Sequence, residues 1–234
     1  MDKKTGCLVC GKDLKYLNDR KKVECYFCGK KFETLVTCEE GHFVCDSCHS
    51  FSADDFIEKT TIKSNEIDPL KLAVKIMKNP KVKMHGPEHH FLVPAVLITV
   101  YYNKKRKYDI KKEKIKEARR RAEKILGGFC GTHGVCGAAV GTGIFVSIIT
   151  GSTPLSKKEW KLSNQITAKS LEKIAKLGGP RCCKRNTLLA IIGAVSFVKQ
   201  KVDVEIPIDT NIICQFKDLN KECIKDKCPF YSGF

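Results

Sequence analysis

Fourteen cysteines and six histidines in 234 residues are the groups best suited to chemistry here, and their spacing is far from even. The first fifty residues carry four ligand pairs: Cys7-x2-Cys10, Cys25-x2-Cys28, Cys38-x3-His42 and Cys45-x2-Cys48. A CxxC turn sets two thiolates on one side of a tight knuckle, so two such pairs can close a tetrahedron around Zn²⁺. Gly29 after Cys28 suits the knuckle, because glycine tolerates the positive φ that such turns often need. A unit of about sixty residues with so little apolar material lacks a core of its own, and metal would supply its folding free energy. These eight residues are the expected ligands of two zinc ions. Spacing leaves open whether the pairs combine sequentially or interleaved.

Four further motifs follow. MHGPEHH places His85, His89 and His90 within six residues, a density suited to metal ligation or proton transfer near neutral pH. GGFCGTHGVCGAAVG holds Cys130, His133 and Cys136 among glycines that leave the backbone open to a cluster or an anion, with Cys136 expected at a helix start. GGPRCCKRNT sets Cys182 and Cys183 beside Arg181, Lys184 and Arg185, again opening a helix. A helix N-terminus and nearby cations both favour thiolate, so Cys136, Cys182 and Cys183, with His133, are the expected catalytic groups. Adjacent cysteines rarely share one ion and more often divide between roles. Finally Cys214, Cys223 and Cys228-Pro229 place three thiols within fifteen residues, a run that fits iron–sulfur ligation with a zinc site as competitor. The expected cluster ligands are Cys214, Cys223 and Cys228, plus one of Cys130, Cys136, Cys182 or Cys183. His85, His89 and His90 are candidates beside the same cofactor.

The run TCEEGHFVCDSC resembles the centre of RING-type, treble-clef cross-brace zinc modules. Carried over by position, that resemblance puts Cys25, Cys28, Cys45 and Cys48 on one zinc and Cys7, Cys10, Cys38 and His42 on the other. The spare pair Cys7/Cys10 lies upstream here, whereas the family's last pair lies downstream. GVCGAAVG with the later cysteine pair is distantly similar to the redox-active family patterned C…GCAxxG…C…C, although Gly137 stands where that pattern has Ala. MHGPEHH, GTHGVCGAAVG, GGPRCCKRN and the Cys-rich C-terminus together resemble an uncharacterised Cys-rich family of archaea and anaerobic bacteria. That resemblance implies reducing surroundings and supports iron–sulfur over disulfide chemistry, but brings no reaction with it.

The elements that must position these groups read as mainly α: a helical bundle preceded by a small zinc-ribbon or treble-clef domain. The expected division is a double-zinc module over residues 1–60 and a helical Cys/His-rich domain over 61–234. Asp68-Pro69 reads as an N-cap with proline at the first helical position, and Leu70, Ala73, Val74 and Met77 form one apolar stripe before Asn79-Pro80 stops it. Further helices are expected over 87–102, over a basic 110–126 ended by Gly127-Gly128, from a Ser156/Glu159 capping box to Leu177, and over 183–199. Val202 to Ile206 alternates as a short strand would. Gly137, Gly141 and Gly143 each cost a helix ~1 kcal/mol relative to Ala, so close helix packing or close cofactor approach must compensate.

Charge is distributed as unevenly as cysteine. Residues 1–60 carry ten Lys/Arg against eleven Asp/Glu, and residues 61–234 carry 33 against 15. The block 103–124 alone has twelve basic and four acidic side chains, a field open to RNA phosphates or simply a solvated helix face. The charged N-terminus has no secretory h-region, and the apolar run 135–150 falls short of the ~20 residues a bilayer needs, so a cytoplasmic protein without a membrane span is expected. No GK[ST] phosphate loop occurs, and GTGIF lacks the third glycine of a dinucleotide fingerprint. Three function classes remain. The first is an iron–sulfur redox or sulfur-transfer protein with a structural zinc module and an unidentified electron or sulfur partner. The second is a zinc-dependent nucleic-acid-binding or RNA-modification factor, and the third an all-zinc structural adaptor.

Overall fold

The structure is a computed structural model and describes residues 7–10, 12–27, 29–49 and 52–232. Cys28 lies outside the described residues.

The chain opens with an antiparallel hairpin, β1 (Leu14–Glu24) and β2 (Lys31–Cys38), in a register that pairs Leu14 with Cys38 and Glu24 with Lys31. Along most of β2, side chains alternate between exposed and half-buried, as the two-residue period of a strand requires. After the hairpin the chain returns along its closed end, where Cys25 bridges to Phe43. A short helix α1 (Asp46–His49) and then α2 (Ala53–Lys63) follow. The chain around the expected division at residue 60 is therefore largely helix, opened by a reciprocal capping box between Ser52 and Asp55. It also carries the contact with the hairpin unit, since Phe27 packs edge-on against Phe56 at 4.8 Å and Lys63 Nζ donates to the Phe27 carbonyl.

The rest is mainly helical: α3 (Pro69–Met77), α4 (Glu88–Lys104), α5 (Tyr108–Ala122), the single turn α6 (Phe129–Thr132), α7 (Gly137–Thr150), α8 (Lys158–Leu177) and α9 (Cys183–Lys201). Asp68 caps α3 by accepting from the Leu70 and Lys71 amides. The central helix is α4, apolar around its whole circumference and in contact with α2, α3, α5, α7 and α9. Its Pro94 has no N–H, which frees the His90 carbonyl from the helical ladder. Gly141 of α7 comes so close there that a Cβ would stand 2.8 Å from Pro94 and 3.0 Å from that carbonyl. Gly143 meets α8 in the same way, 2.2 Å from Thr167 Oγ1. Close helix packing, rather than cofactor approach, thus explains the small residues of α7.

Three local expectations need correction. Ser156 does not cap α8, which starts after Lys157, because its hydroxyl accepts from the Thr153 amide in the preceding turn. Residues 202–206 form no strand: the segment is irregular, and the Val204 N–H bonds back to the Val198 carbonyl at the end of α9. The basic helix α5 ends at Ala122, short of the glycines, with a tighter turn closing through Ile125 N–H to the Ala122 carbonyl. Part of that basic block serves the fold. Lys111 is buried and donates to the Ser64 carbonyl and Asn103 Oδ1. Arg119 binds Asp55, Glu58 and Glu123 together. Among the described residues no helix is long and apolar enough to cross a membrane.

Candidate metal centres

Antiparallel pairing decides which cysteines of the first unit meet. Because Leu14 pairs with Cys38, the chain before β1 lies beside the chain after β2, so Cys7 and Cys10 arrive at Cys38 and His42. Their four ligand atoms lie within 4.8 Å of one another. Cys10 Sγ stands 3.8 Å from Cys38 Sγ, and Cys38 Sγ 3.3 Å from His42 Nδ1. The Val9 amide points at Cys7 Sγ and the His42 amide at Cys38 Sγ, the donor pattern that stabilises thiolate in a metal knuckle. Burial pushes the Cys7 thiol up to about 11. Cys38 is also partly desolvated, yet the His42 amide and neighbouring donors hold it below its ordinary value.

The turn that closes the hairpin carries Cys25, and Cys45 and Cys48 join it from the returning chain, again with all ligand atoms within 4.8 Å and all three side chains buried. The Cys45 amide donates to Cys25 Sγ. Among the described residues, Cys7 and Cys10 thus group with Cys38 and His42, and Cys25 groups with Cys45 and Cys48.

In the helical body the late cysteines gather around the start of α9. Cys182 is the N-cap of that helix, its Sγ accepting from the Arg185 amide at 3.4 Å. The tail beyond α9 is irregular, with single 3-10 turns at Lys217–Leu219 and Lys225–Lys227. It folds back so that Cys214, Cys223 and Cys228 line one narrow cavity with Cys182. A bond from the Cys214 amide to the Phe230 carbonyl clamps the two ends of the loop, and Phe216 and Phe230 are buried as its apolar wall. Cys130, Cys136 and Cys183 do not line this cavity.

Burial dominates the electrostatics. It raises the Cys182 and Cys214 thiols against the Arg185 and Phe216 amides, and neighbouring thiols add to the rise: Cys214 and Cys228 for Cys182, Cys228 and Cys223 for Cys214. Burial likewise raises Cys183, to about 11. Burial therefore works against the thiolate character that the helix dipole and the neighbouring cations favour at Cys182 and Cys183. A buried cation faces the cysteines. Lys184 Nζ sits 4.4 Å from the Phe216 ring centre and donates to the Met77 and Val82 carbonyls, and burial pulls it down to about 8.

The chain matches, over residues 57–231, a family described only as a family of unknown function, DUF5714. It belongs to that family. The match spans the helical body and the tail with all seven late cysteines. No curated protein and no solved structure matches the chain.

The histidines of MHGPEHH disperse. His89 is buried with both ring nitrogens engaged, Nδ1 with Thr187 Oγ1 at 3.0 Å and Nε2 with the Lys83 carbonyl at 3.0 Å, and burial pushes it down to about 3. His90 is bonded to the Ile125 carbonyl, and its ring lies flush against Gly137. His85 faces Glu222 through Nε2, while its Nδ1 is buried with no protein partner. His133 is exposed, bonded to Thr132 and packed on Phe129. Sequence reasoning missed Glu222 and Asn186, whose Nδ2 lies 3.5 Å from Cys136 Sγ. Neither has a signal in local spacing.

Proposed function

We propose that this DUF5714 chain is a metalloprotein of electron or sulfur transfer, built from a two-zinc module and an iron–sulfur domain. In this reading Cys7, Cys10, Cys38 and His42 hold one zinc, and Cys25, Cys28, Cys45 and Cys48 hold the other. Cys182, Cys214, Cys223 and Cys228 hold a [4Fe–4S] cluster.

The observation that carries the reading is the difference in spacing between the two kinds of cysteine group. Around one Zn²⁺, a Zn–S bond of about 2.3 Å puts tetrahedral sulfurs about 3.8 Å apart; Cys10 and Cys38 stand 3.8 Å apart, and the ligand atoms of each N-terminal group lie within 4.8 Å of one another. The four late cysteines surround a common cavity, yet no three of their sulfurs fall within 4.8 Å of one another. Four thiols spread around a space suit a cluster that fills it better than a single ion. Apolar walls keep water away, and Lys184 and Arg185 at the cavity offset the negative charge of four thiolates. When bound, such a cluster accepts and returns single electrons. The residues of this chain hold it, exclude water and set the local charge.

The test is metal and sulfide analysis of anaerobically purified protein with a visible spectrum. Brown protein with about two zinc and at least about four iron per chain, matched by acid-labile sulfide, is the expected result. Colourless protein with zinc alone, three or more ions per chain, would overturn it and favour the adaptor.

A further inference from the structure

Cys130 and Cys136 line a second, open cavity of about 640 Å³, which shares only Arg185 with the cavity of the tail cysteines. Cys183 lines neither. The volume falls within the ~300–1,000 Å³ typical of small-molecule sites. Within the loop that carries the two thiols, the Val135 amide donates to the Phe129 carbonyl at 3.2 Å. Cys130 and Cys136 each directly follow one partner of that bond, so they leave neighbouring points of the backbone. Both are half-buried free thiols. Gly131, between them on the rim, has an ordinary φ, and a Cβ there would meet nothing within 4 Å. Packing does not demand glycine at that place, and its presence leaves the loop free to tighten.

The surroundings of the two thiols are built to different ends. Cys136 is the N-cap of α7, at the positive end of a helix of 14 residues, and its side chain makes no capping bond. Its Sγ lies 3.5 Å from Nδ2 of Asn186, a residue only 5% exposed whose Oδ1 accepts from Arg185 Nε. Helix start and amide donor both favour negative charge on that sulfur as it attacks or departs. The charges of the lining are mostly spent. Glu172 pairs with Lys176 at 2.8 Å, and Arg185 donates to the Gly178 and Pro180 carbonyls. Arg181 is exposed and forms no ion pair among the described residues, which leaves one open cation at the cavity.

We propose that Cys130 and Cys136 form a redox-active dithiol that reduces small disulfides bearing a carboxylate, which Arg181 binds. Cys136 attacks one sulfur of the substrate and expels the other half as a thiol. Cys130 then attacks the Cys136 sulfur of the mixed disulfide and expels the second half. One protein S–S bond forms as the substrate S–S bond breaks, two electrons pass to the substrate, and the two protein thiol protons end on the released thiols. A dithiol reductant in excess restores the pair by the same exchange and is itself oxidised. The step uses no metal, so it goes beyond the zinc and iron reading and does not depend on it.

The experiment treats the full chain, reduced and then freed of reductant under anaerobic conditions, with oxidised glutathione. The expected result is release of about two glutathione thiols per chain, with Cys130 and Cys136 recovered in one disulfide-linked peptide. Cys130→Ser should stop after the first exchange, with glutathione retained on Cys136. Cys136→Ser should leave Cys130 unmodified over the same time. Arg181→Gln should react about tenfold more slowly with oxidised glutathione but at the parent rate with the neutral disulfide of mercaptoethanol. That contrast separates recognition of a carboxylate from loss of fold. Cys130 and Cys136 left unlinked, or either one joined to a different cysteine, overturns the dithiol. Arg181→Gln slowed equally with both disulfides, or with neither, overturns the carboxylate site. Zinc and iron contents of the same samples report on the proposed function separately.

Discussion

Cys10 Sγ and Cys38 Sγ lie 3.8 Å apart although 28 residues separate them in the chain. That distance is the edge of a tetrahedron with a metal–sulfur bond of about 2.3 Å. The β1–β2 register creates it, and a metal there would return the favour by locking the open end of the hairpin. Cys38→Ser is therefore expected to lower zinc from about two ions per chain to about one and to expose the β1–β2 amides to hydrogen exchange. The helical body should keep its protection. Two zinc ions retained in the variant would remove Cys38 from the ligand set.

Gly143 offers a test in which the sign of the effect is diagnostic. On an exposed helix, replacing Gly by Ala gains about 1 kcal/mol. At Gly143 a Cβ would stand 2.2 Å from Thr167 Oγ1 and 3.2 Å from the Ser163 carbonyl, so α7 and α8 would have to separate. Gly143→Val is expected to lower stability by about 1–3 kcal/mol, as overpacking does, read as a lower urea midpoint. In Gly143→Val/Thr167→Ala, much of that loss should return. A variant as stable as the parent would show that the helices are not in contact at this residue.

What the sequence discloses about the fold depends on whether a signal is local. The start of α3 was legible because Asp68, Pro69 and the apolar stripe lie within ten residues, and the end of α8 because Gly178 takes φ 70 directly after Leu177. The Ser156/Glu159 signature was equally local and misled, because Thr153 competes for the same hydroxyl. The hairpin gives no local signal: β1 is so rich in Lys, Arg and Asp that its alternation is hidden. Spacing alone therefore leaves the pairing of the cysteines open, because the register of β1 against β2 is what groups Cys7 with Cys38. Gathering Cys182 with Cys214, Cys223 and Cys228 depends on a tail without regular structure, for which periodicity offers no guide.

His89 gives the stability a pH dependence that can be isolated. Burial holds its folded-state value near about 3, against 6.5 for the free side chain. Between those values the unfolded chain takes up a proton that the folded chain refuses, so unfolding is favoured as pH falls. The loss begins below pH 6.5 and approaches about 1.4 kcal/mol per pH unit until folded His89 itself titrates. Above pH 6.5 it contributes no slope. His89→Gln keeps an amide donor for the Lys83 carbonyl and removes the titration. Its urea midpoint should therefore vary less between pH 7 and 5 than that of the parent. Equal slopes would show that His89 is protonated alike in both states.

Lys184 joins the fold to the four-cysteine cavity. Its ammonium donates to the Met77 carbonyl at 2.8 Å and the Val82 carbonyl at 3.0 Å, pinning the end of α3 to α9 from a position only 3% exposed. Lys184→Met keeps the chain length and its packing against Phe216 but removes both donors. A cost of about 1–3 kcal/mol is expected, the ordinary consequence of leaving buried acceptors unmet. The same substitution withdraws a positive charge from the wall of the cavity. A cluster held by Cys182, Cys214, Cys223 and Cys228 becomes harder to reduce when that charge is gone, because adding an electron places more negative charge in a poorly screened space. The midpoint potential in an anaerobic redox titration should therefore move downward. Lys184→Arg, which retains the charge, should restore most of the potential even where the bonds to Met77 and Val82 are imperfect. A potential that is the same in Lys184→Met and the parent would place the redox centre away from this cavity, whatever the change in stability.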